Sequence, residues 1–306
     1  MKKVLVATVK PFAPAAVEGI KKVVEEAGYT FVLLEKYSGQ DELIKAVEDV
    51  DALIIRSDKA DKDVIAAAKN LKIIVRAGAG YDNIDLEAAT AKGIVAMNTP
   101  GQNSNAVAEL ALGMMVFLAR GKFNGKPGTE LRGKTLGIHA YGHVGKYVAE
   151  IAKGFGMKVF AFDPFIDDEE IAKDNVTPVD AVEKLYRSCQ YVSLHIPANK
   201  HTIKSIGYEL LSKMPENAVL VNTARKEVID EEGLLKTMAT RDDFKYISDI
   251  APDCAGEFAE KYPDRHFFTP KKMGAQTAEA NINAGIAAAN QIVNFFEKGD
   301  TTFKVN

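Results

Sequence analysis

The stretch Ala140-Tyr141-Gly142-His143-Val144-Gly145 lies between a run that reads as a strand, 135–140, and one that reads as a helix, 144–153. Glycines at such a turn let the backbone bend tightly. They bring its N–H groups, with the positive end of the helix, up to a phosphate. Gly142 stands where a pyrophosphate would back onto the chain, and Gly145 where helix and strand must approach closely. Ala140 holds the first place of the turn, where alanine is tolerable only with φ below zero. A second strand, 158–162, leads into Asp163, 21 residues after Gly142. A carboxylate there accepts hydrogen bonds from ribose hydroxyls and repels the extra phosphate of NADP. Pro164 and Phe165 follow it, with no arginine to welcome that phosphate. These residues point to NAD, held by Tyr141, Gly142, His143, Val144, Gly145 and Asp163.

Three arginines could hold anions. Arg225 comes just past a strand at 218–222, and in parallel α/β sheets the C-terminal ends of strands line the ligand crevice. Its planar guanidinium matches a carboxylate and can polarise a neighbouring carbonyl. Arg56 and Arg76 directly follow apolar strands at 52–55 and 72–75, so neighbouring strands would aim both at one end of a sheet. With Ser57 and Asn103 they suit a phosphate. Ala77-Gly78-Ala79-Gly80 offers backbone N–H groups as an anion nest. The histidines form no close metal pair, and Cys189 and Cys254 form no CxxC, so no metal site is expected. His139, in the strand before the glycine turn, reads as a satisfied core residue.

The elements that must carry these groups follow from length and pattern. The 306 residues suggest two domains. Hydrophobic residues at 47% and charged residues at 26% are an ordinary soluble balance. With 39 basic and 42 acidic residues, nothing favours nucleic acid or an anionic membrane as the main partner. Two cysteines suit a reducing compartment. The N-terminal apolar run is too short for a signal peptide and the longest run, 110–119, is half a membrane span, so a cytoplasmic location is expected. Strands at 3–9, 30–34, 52–55, 72–75 and 95–97 alternate with helices at 14–27, 42–47 and 62–69. A long helix at 105–119 precedes a loop-rich stretch, 121–128, which reads as a hinge or excursion between domains. A second series has strands at 135–140, 158–162, 191–194, 218–222, 245–247 and 266–268, and a last helix at 277–297. The fold class is α/β, with two doubly wound parallel sheets.

Four ordered stretches resemble the D-isomer-specific 2-hydroxyacid dehydrogenase family. They are Arg76-Ala77-Gly78-Ala79-Gly80-Tyr81-Asp82-Asn83-Ile84-Asp85, Asn98-Thr99-Pro100-Gly101-Gln102-Asn103-Ser104, Ser193-Leu194-His195-Ile196-Pro197 and Asn222-Thr223-Ala224-Arg225. The resemblance implies a Rossmann NAD domain over 100–279 and a discontinuous, flavodoxin-like substrate domain over 1–99 with 280–306. It implies an active site in the cleft and a homodimer. With the last helix so near the end of the sequence, a C-terminal sensing domain like that of longer relatives is not expected. By the same resemblance His195, Ile196, Pro197, Thr202, Thr223, Ala224, Asp249 and Gly274 contact the cofactor. Arg225 is catalytic, and the nest at Ala77-Gly78-Ala79-Gly80 holds the substrate carboxylate.

The chain departs from the family at the acid/base. The family places a histidine just before a Gly-Ala-Ser-Thr-like stretch. Here Thr269-Pro270-Lys271-Lys272-Met273-Gly274-Ala275 puts Lys272 at that position, with Lys271 as the alternative. The family's orienting glutamate is replaced by Cys254. An ammonium needs no tautomer control. Losing a carboxylate partner would let its pKa fall from about 10.4. The expected substrate is a small phosphorylated 2-hydroxy or 2-keto acid. The expected reaction is the NAD-dependent interconversion of D-3-phosphoglycerate and 3-phosphohydroxypyruvate. Reduction of hydroxypyruvate or glyoxylate, and NAD(H) sensing without catalysis, are the alternatives.

Overall fold

A computed structural model describes all 306 residues. The chain runs β1 (Lys3–Thr8), α1 (Pro14–Glu26), β2 (Thr30–Glu35), α2 (Gln40–Ala46), β3 (Ala52–Ile55), α3 (Lys62–Ala67), β4 (Ile73–Arg76), α4 (Leu86–Ala91), β5 (Val95–Asn98) and α5 (Ser104–Ala119). It continues through β6 (Thr135–His139), α6 (His143–Gly154), β7 (Lys158–Phe162), α7 (Asp168–Lys173), β8 (Thr177–Pro178), α8 (Val182–Ser188) and β9 (Tyr191–Leu194). It ends with α9 (Tyr208–Leu211), β10 (Val219–Asn222), α10 (Glu231–Thr240), β11 (Lys245–Ser248), α11 (Ala255–Lys261), β12 (His266–Phe268) and α12 (Ala278–Lys298). Two compact units result, residues 1–103 with 275–306 and residues 104–274. The second division lies before 279 because Thr277 belongs with α12, whose first turn it caps by accepting from Ala280 N at 3.1 Å.

The first unit is a parallel five-stranded sheet in the order β2-β1-β3-β4-β5. β3 is buried along its whole length, which is why it reads as an unbroken apolar run. α1 starts with proline in its first turn and buries Ala16, Ile20 and Val24, one residue per turn. α12 lies against α1 through small residues: a side chain at Gly285 would stand 2.8 Å from Ile20. Gly299, at φ 66, ends α12 in the left-handed conformation.

The second unit is a parallel seven-stranded sheet in the order β12-β11-β10-β9-β6-β7-β8. The winding reverses between β6 and β9, and the C-terminal ends of strands beside that switch point form the ligand crevice of such sheets. The 121–128 stretch is not a connection between units, because both of its ends lie within 104–274. Gly121–Phe123 makes one 3-10 turn, and the loop folds back so that Thr129 N donates to Ala119 O at 2.8 Å. α4, α7, α9, α11 and β8, two to seven residues each, are too short to show periodicity in the sequence. No helix is long and apolar enough to cross a membrane.

Candidate active site

At the glycine turn after β6, Ala140 adopts φ 78, contrary to the expectation that an alanine there keeps φ below zero. The chain reverses sharply at this point while Ala140 N stays bonded to Phe162 O of β7 at 2.9 Å. The left-handed conformation costs an alanine about 1–2 kcal/mol. Gly145 is buried, and a Cβ there would stand 2.6 Å from Ala140 O and 3.1 Å from Ile138 Cγ2. Gly142 is exposed, with no atom within 4 Å of a Cβ built on it. The first turn of α6 has no side-chain cap, so its N–H groups at His143 and Val144 face outward for a ligand. Asp163 is fixed by two backbone donors, Tyr141 N at 2.8 Å and Phe165 N at 2.9 Å. Each oxygen keeps a further lone pair for a hydroxyl. The Tyr141 side chain is not part of a ligand surface. It is fully buried and its hydroxyl donates to Asp174 Oδ2 at 2.9 Å.

At the end of β9, His195 Nε2 pairs with Ser193 Oγ at 2.9 Å, and the backbone N–H of His195 donates to His139 O at 2.9 Å. Burial pushes His195 down to about 3 and His139 down to about 4, so both imidazoles are neutral. His139 Nδ1 lies 3.3 Å from the Tyr186 hydroxyl. Ile196 is buried and Pro197 exposed, and Thr202 Oγ1 donates to Pro197 O. Neutral imidazoles with pKa values this low are poor proton carriers near neutral pH.

The turn after β10 is folded by Asn222. Its Oδ1 accepts from Ala224 N at 3.0 Å and its Nδ2 donates to Arg225 O at 3.0 Å. Thr223 is 5% exposed and its hydroxyl has no partner, as expected of a group awaiting a ligand atom. The Ala224 carbonyl points back over the turn and accepts two cations: Arg225 Nη1 at 2.9 Å and Lys272 Nζ at 2.6 Å. Lys272, whose side chain is 40% exposed, is thus placed beside Arg225, whereas Lys271, also exposed, offers only its carbonyl, to Thr269 Oγ1. Partial burial holds the Lys272 ammonium below the ordinary lysine value, the Asp249 carboxylate opposes this, and the Arg225 charge adds to the lowering. The lysine therefore has a carboxylate partner, contrary to expectation. Asp249, fully buried just past β11, stands 3.4 Å from its Nζ. Cys254 supplies no charge, because burial and Glu231 push its thiol up to about 12.

In the first unit, β3 and β4 are neighbours, with Ile55 opposite Arg76. Arg56 nonetheless commits three of its five N–H groups inside the fold. Its Nη1 donates to Lys10 O and Pro11 O, both at 3.0 Å, its Nη2 to Asn281 Oδ1 at 2.7 Å, and its guanidinium lies 4.9 Å over the Phe12 ring. It bolts the loop after β1 to α12. Arg76 Nε donates to Arg56 O at 3.0 Å, and its guanidinium fills the space where Gly78, at φ 149, would carry a side chain. Only part of the nest is open. Ala77 N donates to Ile55 O and Gly78 N to Arg76 O, which leaves the N–H groups of Ala79 and Gly80. Ser57 is exposed and Asn103 partly so.

Uncapped amides at α6, open space at Gly142, the carboxylate of Asp163 and the orphaned Thr223 hydroxyl together fit a dinucleotide. No group of three potential metal ligands is present. Sequence reasoning missed Asn222, whose amide shapes the Arg225 turn, and Glu231, which accepts from Asp253 N and Cys254 N at 2.8 Å each. Glu231 stands three residues before Leu234 in an ordinary helix start and carries no local signal of that role.

A family model described as D-isomer specific 2-hydroxyacid dehydrogenase, catalytic domain, matches residues 4–306. The chain is 38% identical over 287 residues to a hydroxypyruvate reductase of Thermotoga maritima, covering 88% of this chain and 90% of that one. It is 37% identical over 295 residues to a D-3-phosphoglycerate dehydrogenase of Methanocaldococcus jannaschii, covering 89% of this chain and 54% of the relative. The chain thus spans about half the length of that dehydrogenase. Among solved structures, an NAD+-bound 3-phosphoglycerate dehydrogenase of Entamoeba histolytica is 50% identical, with a TM-score of 0.86 over 100% of this chain and 98% of that one.

Proposed function

The chain belongs to the D-isomer specific 2-hydroxyacid dehydrogenases, and we propose that within them it interconverts D-3-phosphoglycerate and 3-phosphohydroxypyruvate with NAD, the first step of phosphorylated serine synthesis. The observation that carries this is the convergence of Arg225 and Lys272 on the Ala224 carbonyl, at 2.9 and 2.6 Å. The α6 amides and Asp163 would hold NAD, which would supply the hydride chemistry at C2 of the hydroxy acid. Arg225 keeps all but one of its five donors for the substrate carboxylate and the reacting oxygen. Lys272, neutral, takes the proton of the C2 hydroxyl as the ketone forms. As ammonium it returns that proton to the developing alkoxide. Two of its three N–H groups are directed to Ala224 O and Asp249, so the third is left for the substrate oxygen.

The preference for a phosphorylated substrate draws on Arg76 across the nest and on the Entamoeba relative. Reduction of hydroxypyruvate is the second reading, favoured by the bolted Arg56 and by the Thermotoga relative. The two are separated by kcat/KM for 3-phosphohydroxypyruvate and hydroxypyruvate with NADH. The first reading expects the phosphorylated acid to be favoured about a hundredfold, and a preference for hydroxypyruvate overturns it. NADH binding with no turnover of either acid would leave only a sensing role. A homodimer is part of the same proposal, and sedimentation tests it.

A further inference from the structure

Asp249 is fully buried, and both of its carboxylate oxygens serve the segment that carries Lys272. Oδ2 accepts the N–H of Gly274 at 3.1 Å, and Oδ1 stands 3.4 Å from Lys272 Nζ. One carboxylate therefore grips the lysine's ammonium and the backbone two residues beyond it. Its own N–H donates to Asn222 O at 3.1 Å, and Asn222 folds the turn that ends in Arg225. The ends of β10 and β11 and the Lys272 segment are joined through this residue.

The charges around Lys272 are few. Arg225 and Glu227 face it from the segment after β10, and Asp249 from the segment after β11. Lys271 beside it is exposed, and the Cys254 thiol is neutral. Asp249 makes the only ion pair of Lys272. Two cations share the Ala224 carbonyl oxygen, so without a buried anion beside them they repel each other across it.

We propose that Asp249 is the positioning residue of Lys272: it directs the amine to the Ala224 carbonyl and balances its charge, in addition to any contact it makes with a bound cofactor. The inference rests on Lys272 being the acid/base. Asp249 acts through the lysine and not on the substrate, so it sets the pH at which the amine is neutral.

The test uses the full chain without substrate. Acetic anhydride labelling of Lys272 and Lys271 is followed against pH by peptide mass spectrometry, in the parent chain and in Asp249→Asn. The amide side chain keeps the size and the bond to Gly274 N–H but removes the charge. The labelling midpoint of Lys272 is expected to fall by about one pH unit or more, with Lys271 unchanged. The rising alkaline limb of the oxidation rate should move by the same interval. An unchanged Lys272 midpoint overturns the proposal. If Asp249→Asn fails to fold, Gly274→Ala is read the same way, because its methyl would stand 2.8 Å from Asp249 Oδ2 and drive the carboxylate off. A shifted midpoint in a chain that turns over no 2-hydroxy acid would sink the proposed reaction and leave the positioning role standing. Turnover with an unshifted midpoint would do the reverse.

Discussion

Gly145→Ala puts the dinucleotide turn under a defined strain. The added methyl would stand 2.6 Å from Ala140 O, and ordinary contact begins near 3.4 Å, so α6 or the turn must move about 0.8 Å. Ala140 cannot retreat easily, because its N–H is bonded to Phe162 O at 2.9 Å and its backbone is already left-handed. Ile138 Cγ2, at 3.1 Å, closes the other side. Overpacking of this kind costs about 1–3 kcal/mol. Alanine's better helix propensity returns about 1 kcal/mol, so folding stability should fall by no more than about 2 kcal/mol. The larger effect is on the α6 amides, which are displaced from the phosphate position. NADH affinity should fall at least about tenfold, equal to about 1.4 kcal/mol. Nicotinamide fluorescence titration measures the affinity, and urea unfolding followed by circular dichroism measures the stability. Gly142→Ala is the companion, since its methyl meets no atom within 4 Å and its φ of −75 suits alanine. That variant should fold as well as the parent yet bind NADH poorly, because the methyl occupies the space meant for the phosphates. Unchanged NADH affinity in both variants would refute the assignment of this turn to a dinucleotide.

Other consequences can be measured separately. Ala140→Gly should stabilise the chain by about 1 kcal/mol in urea unfolding, because glycine adopts φ 78 without the left-handed penalty; a loss of stability would contradict the strain. Arg56→Met should lower the thermal midpoint, reflecting about 1–3 kcal/mol from the orphaned Lys10 and Pro11 carbonyls, while leaving the ratio of kcat/KM between phosphorylated and plain acids nearly unchanged; a collapse of that ratio would return Arg56 to the phosphate. His139 and His195 have folded pKa values near 4 and 3, below the 6.5 of an unfolded imidazole, so protons bind the unfolded chain first. The stability they contribute is full above pH 6.5 and is lost as pH falls toward 4 for His139 and toward 3 for His195. Urea midpoints at pH 7.5, 6 and 5 should therefore decline, and less steeply in His195→Asn; equal slopes would contradict this.

Much of the architecture was legible because parallel α/β elements announce themselves. β3 is a short unbroken apolar run, β10 is apolar up to Asn222, α1 repeats every four residues, and the glycine turn lies at the junction of β6 and α6. What could not be read depends on contacts distant in sequence. Arg56 looks like an anion ligand until Lys10, Pro11 and Asn281, up to 225 residues away, engage it. With Cys254 in the glutamate's place the sequence leaves Lys272 without a carboxylate partner, but β11 delivers one at 249, 23 residues before the lysine. At Ala140 residue type argues for negative φ, whereas the reversal from β6 into α6 and the bond to β7 impose the opposite sign. The 121–128 stretch has the composition of a linker, but nothing local reveals that it folds back onto the end of α5.

The central claim is that an amine at 272 handles the proton. Steady-state turnover of Lys272→Ala and Lys271→Ala, each with its NADH affinity measured alongside, tests it most directly. Lys272→Ala should lose at least about a hundredfold in kcat with cofactor affinity retained, and Lys271→Ala should stay near the parent. Full turnover in Lys272→Ala, or the loss falling on Lys271→Ala instead, would contradict it.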